Sequence, residues 1–183
     1  SLAVPATVHE LIVARARALG PAVRRVLEVA SVAGDGWPLP ALAAAAGLDE
    51  LATAQALEHA TVAELLLCDQ AGRHRFVHDL VAQALADSLS AVRLAALHGQ
   101  WAAALAAAGA EPGRVARHLD LAGRAADAAP WHLRAAQVAR QRQAWAAVRD
   151  ASGAALAGSG DAALRLQAQL LRAEALRRMA ELP

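Results

Sequence analysis

The sequence predicts a mainly α-helical chain interrupted by one short β-hairpin, and three observations carry that expectation. Hydrophobic residues make up 57% of the 183 but aromatics only 3%, so the core is built from Ala, Leu and Val. Such a diet favours closely packed helices, because Ala has the best helix propensity and lets helix axes approach. Apolar residues recur at spacings of three and four, as in Leu94, Leu97, Trp101 and Leu105. The exception is a stretch in which residues 64–68 and 73–77 flank Asp69-Gln70-Ala71-Gly72, a run with the residues a hairpin turn needs.

Taken in order, residues 2–5 read as a loop. Ala6-Thr7 begins a helix with Val8, Leu11, Ile12, Arg15 and Leu19 along one side. Gly20-Pro21 stops it and starts the next, with Pro in a first turn where its missing N–H costs nothing. That second helix, 22–33, places Val23, Val26, Leu27 and Ala30 on one face, and Gly34-Asp35-Gly36 ends it. Trp37-Pro38-Leu39 crosses to a third helix, 40–46, which Gly47 closes as a C-cap. Asp49 caps a fourth, from Glu50 to about Ala60. Helix, helix, helix and then a two-stranded hairpin is the order of a winged helix.

After His78 the chain reads as helix throughout. The expected helices cover 80–89, 91–108, 114–122, 128–141, 145–156 and 162–182. Ser90 and Asp161 are N-caps, Gly123 closes the third of these, and Gly158-Ser159-Gly160 is a turn. Short antiparallel pairs with small residues at their contacts are the mark of a helical solenoid, here near the tetratricopeptide period of about 34 residues. The expected organisation is therefore a winged-helix-like module over 1–78 and a tetratricopeptide-like helical arm over 79–183.

The chemistry-bearing motifs of common enzymes are missing from the chain. It has no Walker-type phosphate loop, no Gly-x-Ser-x-Gly elbow and no His-Glu-x-x-His pair, so no intrinsic catalysis is expected. The lone Cys68, next to Leu65, Leu66 and Leu67, reads as a small buried hydrophobe and forms no internal disulfide. His74 and His78 share one face of the second strand, yet no Cys or carboxylate joins them at a zinc spacing, so no metal is expected. The apolar run 39–48 is too short and too Gly/Pro-bounded to span a bilayer, and Ser1 to Pro5 has no charged leader. A cytoplasmic location without membrane attachment is therefore expected. The chain lacks an initiator Met, which suggests a piece of a longer protein.

Charge argues against direct nucleic-acid binding. Net charge is +1 overall, and every basic residue is Arg. Between Val26 and Gly72 there is no Arg, while Glu28, Asp35, Asp49, Glu50, Glu58, Glu64 and Asp69 are acidic. A recognition helix must neutralise phosphates before it reads bases, and the helix at that place offers only negative charge and His59. The later half is Arg-rich, and Arg117, Trp131, Arg134 and Trp145 are its candidate partner-binding residues, since Arg and Trp anchor interfaces.

Several stretches resemble one family. Residues 4–8 through Arg17-Ala18-Leu19, with 22–34, resemble the segment C-terminal to the ATPase core in bacterial signal-transduction ATPases with numerous domains. That family includes the MalT-like and large LuxR-type transcriptional regulators. Phe76-Val77-His78-Asp79-Leu80-Val81 with Ala84-Leu85, then Arg93 and Leu97-His98, resembles the family's Phe-x-His-(Asp)-Leu signature and its Arg…Leu-His continuation. Arg117-His118-Leu119 with Leu121-Ala122-Gly123 is similar to its helical sensor arm. In the related Met-His-Asp motif, the His approaches the ADP phosphate and holds a closed state. The resemblance implies that role for His78, with Asp79 steadying the hinge and Val77 standing in place of the Met.

The resemblance further implies a regulatory fragment without a cofactor of its own, whose full-length parent binds ATP or ADP and hydrolyses ATP slowly. Its partners would be the parent's ATPase domain and a protein or small-molecule inducer received on the arm. From the residues alone, a helix cap at Asp79 and a junction residue at His78 explain the same stretch. A free-standing helical-repeat interaction scaffold is the second reading, and a winged-helix DNA binder the third.

Overall fold

A computed structural model describes residues 6–34 and 36–180. The loop expected at 2–5 and the end of the last helix beyond Ala180 lie outside the described residues. Among those residues the protein is mostly helical, with one small two-stranded antiparallel sheet. The elements are α1 (Ala6–Ala18), α2 (Pro21–Ser31), α3 (Leu39–Ala46), α4 (Glu50–Val62), β1 (Leu66–Cys68), β2 (His74–Phe76), α5 (Asp79–Asp87) and α6 (Ala91–Ala107). Then come α7 (Pro112–Leu121), α8 (Ala125–Gln141), α9 (Trp145–Gly158) and α10 (Ala162–Ala180). No single helix among the described residues is long and apolar enough to cross a membrane.

The chain divides into two compact units, the first ending at Ala104 and the second beginning at Leu105. In the first, α2 is the central helix. Val26, Leu27 and Val29 are fully buried, and α3, α4, α5 and α1 pack around it. The sequence reading places a division after His78, whereas α5 and most of α6 belong with this first unit. Apolar burial explains the grouping, because Val81, Ala84 and Leu85 of α5 are buried and α5 packs on α1 and α2.

Polar groups fix how α6 lies against α2. Glu28, in the middle of α2, is only 3% exposed, and its carboxylate accepts from Arg24 one turn earlier and from Arg93 of α6. Trp101 is wholly buried and donates its indole N–H to the Val29 carbonyl at 2.7 Å. Arg25 donates to Gln100 of α6 at 2.7 Å and to the Ala46 carbonyl ending α3 at 3.2 Å.

The second unit is a succession of helices in which α7 packs on α8, α8 on α9 and α9 on α10. Its core joins Leu133 and Ala136 of α8, Val148 and Ala155 of α9, and Ala168, Leu171 and Ala175 of α10. Small side chains at these contacts let the backbones come close. The approach at Gly158 is close, because a Cβ there would stand 2.4 Å from the Ala125 carbonyl oxygen. Gly158 is thus the last residue of α9 and is required by packing, where the sequence suggested only a turn.

Gly158→Ala should therefore destabilise the protein by about 1–3 kcal/mol, as overpacking does. Gly160→Ala, where nothing lies within 4 Å, should be near neutral. Paired guanidinium denaturation curves check this, and equal stability of the two variants would contradict the assigned contact.

Candidate functional site

The junction between β2 and α5 is built from the hairpin upward. Leu66 pairs with Phe76, Leu67 with Arg75 and Cys68 with His74, and the Val77 N–H extends the ladder to the Leu65 carbonyl at 3.2 Å. Asp69 organises the turn. One carboxylate oxygen accepts from the Ala71 and Arg73 backbone N–H groups at 2.9 Å each, and the other from the Arg73 guanidinium at 2.8 Å. Gly72 takes the positive φ of 74° that this turn demands. Phe76 meets Trp37 in a tilted ring pair with centroids 6.0 Å apart, which ties β2 to the segment before α3.

The chain leaves this hairpin at His78, which is extended and exposed. His78 itself is the N-cap of α5, its Nδ1 accepting from the Leu80 N–H at 3.2 Å and its carbonyl from the Val81 N–H at 2.9 Å. This corrects the expectation that Asp79 caps the helix. Asp79 is the first helical residue and sits exposed in the first turn, where its charge favours the positive end of the helix dipole. The correction has a chemical consequence. In the neutral ring, an accepting Nδ1 leaves the proton on Nε2, on the exposed edge of His78.

The four candidate partner-binding residues do not converge in one place. Arg117 is exposed on α7. Trp131 is half-buried on α8 with the Arg134 guanidinium over its ring at 4.7 Å, one turn further along the same helix. Trp145 instead packs against the core shared by α8, α9 and α10, with Arg178 of α10 5.7 Å from its ring centre. By helical spacing, Trp131 and Arg134 lie away from the Leu133–Ala136 face that meets that core.

Two further readings need correction. Cys68 is exposed, its thiol donating to the Asp69 carbonyl at 3.6 Å, because Leu65 and Leu66 take the buried places of that strand. Glu28, counted among the acids that repel DNA, is buried and ion-paired, and so adds little to the surface field. The Glu28 cluster and the Trp101 indole bond were not anticipated as contacts. Their legible sign was a carboxylate inside the apolar run Val26-Leu27-Glu28-Val29, four residues after Arg24. Among the described residues, no three His, Cys, Asp or Glu side chains stand close enough together to hold a metal ion. Comparison with family models, curated proteins and solved structures finds no match.

Replacing the cap gives a direct check on the junction. His78→Ala should cost about 0.5–1 kcal/mol and speed exchange of the Leu80 amide, while His78→Asp, a strong cap, should not. Equal exchange in both variants would remove His78 from the capping role.

Asp69 supplies a pH test. The Arg73 backbone N–H, opposed by desolvation and aided by the Arg73 guanidinium and the Ala71 N–H, holds its carboxyl below the ordinary carboxylate range. A depressed folded value means that Asp69 supports the hairpin fully above the ordinary carboxylate pKa. That support is lost as pH falls through the depressed value. A carboxyl NMR titration should show a midpoint below 3.8 for Asp69, and an ordinary midpoint would show that the turn bonds do not form.

Proposed function

We propose that this chain is a non-catalytic regulatory segment of a bacterial signal-transduction ATPase of the large LuxR-type regulators. In this reading a winged-helix-like module is followed by a tetratricopeptide-like helical arm. The arm receives a protein or small-molecule inducer, and the junction reports to the nucleotide held by a separate ATPase domain. The segment acts in the cytoplasm, with no cofactor, membrane or direct nucleic-acid contact of its own.

The observation that carries this reading is the cap bond from the Leu80 N–H to His78 Nδ1. With Nδ1 committed to the Leu80 N–H, the ring offers Nε2–H, a neutral donor suited to a phosphate oxygen. The first turn of α5 adds the positive end of a helix dipole beside it.

The helical arm is supported by spacing. α8 begins at Ala125, 34 residues after α6 begins at Ala91, and α9 begins at Trp145, 33 after α7 begins at Pro112. Those intervals agree with a tetratricopeptide period. The exposed face of α4, where a winged helix would read DNA, carries Leu51, Gln55, Glu58, His59 and Val62 and no Arg. That face favours a winged-helix scaffold without a nucleic-acid role.

In a polypeptide that joins this chain to its nucleotide-binding domain, His78→Ala should raise ADP dissociation by on the order of tenfold or more and raise basal output. That magnitude matches loss of one hydrogen bond to a charged group. His78→Asp, which keeps the cap but repels phosphate, should do the same. Stopped-flow release of a fluorescent ADP separates the outcomes, and unchanged release in both variants would end the nucleotide-sensing reading.

A further inference from the structure

We draw no further inference here: the strongest candidate, the small cavity between α1, α2 and α5 lined by Arg17, Arg24, Glu28 and Ser88, carries none because Arg24 is already paired with the Glu28 carboxylate, the Ser88 hydroxyl donates to the Leu85 carbonyl, and nothing in the structure shows what would fill it.

Discussion

Glu28 imposes the constraint on which the first unit depends. A carboxylate inside an apolar helix face is costly unless its lone pairs are filled by charged donors. Here they are filled by Arg24 from the same helix and by Arg93 from α6, 65 residues further on. Both Arg side chains remain about two-fifths exposed, so only the carboxylate is fully desolvated while the cations keep part of their hydration. A pair of this kind adds little net stability over an apolar alternative, but it penalises any register of α6 that leaves Glu28 alone. Leu97 and Trp101 occupy the same face of α6 as Arg93, and the indole bond to Val29 fixes the other end of that seam. Within α6, then, the apolar contacts supply adhesion and the polar ones supply position.

Much of the fold was legible because its signals are local. Asp49 caps α4 through the Ala52 N–H, Ser90 caps α6 through the Arg93 N–H, and Asp161 caps α10 through the Leu164 N–H. Gly47 ends α3 in a left-handed conformation, as its position suggested. Some helix ends carry no glycine: Glu64 and Gln143 take positive φ of 56° after α4 and α8, yet the expected ends near Ala60 and at Gln141 agree with Val62 and Gln141. The sequence reading starts α8 at Ala128, but the helix begins at Ala125 and carries Pro130 inside it. The lost N–H would have bonded to the carbonyl of Ala126, which is exposed and can be hydrated.

The candidate site was legible in part for the same reason. The strand-to-helix junction at His78 could be read from periodicity, but the choice of cap could not. Residue preference favours Asp79, and the extended backbone leaving β2 gives the place to His78 instead. Contacts between distant segments left weaker traces. Nothing in the spacing of Trp131 and Trp145 distinguishes a ring beneath Arg134 on one helix from a ring packed into a three-helix core. Nor does a tally of acidic residues distinguish surface Glu58 from buried Glu28, which opposes a field only if water can see it.

The composition and the arginines are two sides of one solution. Alanine-rich helices pack closely, but short side chains cannot reach helix ends or span between layers, and this chain has neither Lys nor Tyr. Arginine takes those tasks. Arg25 donates to the Ala46 carbonyl that ends α3, and Arg165 to the Leu156 and Ser159 carbonyls at the end of α9, filling acceptors that helix termini leave open. Arg134 and Arg178 lie over the two tryptophans of the second unit, and Arg24 and Arg93 neutralise the buried carboxylate of the first. A planar, permanently charged group with several donors suits all three tasks, and a lysine ammonium would serve the ring and fork contacts poorly. The Arg content of the later half is therefore in large part structural. Arg117 on α7 is exposed and lies outside such contacts.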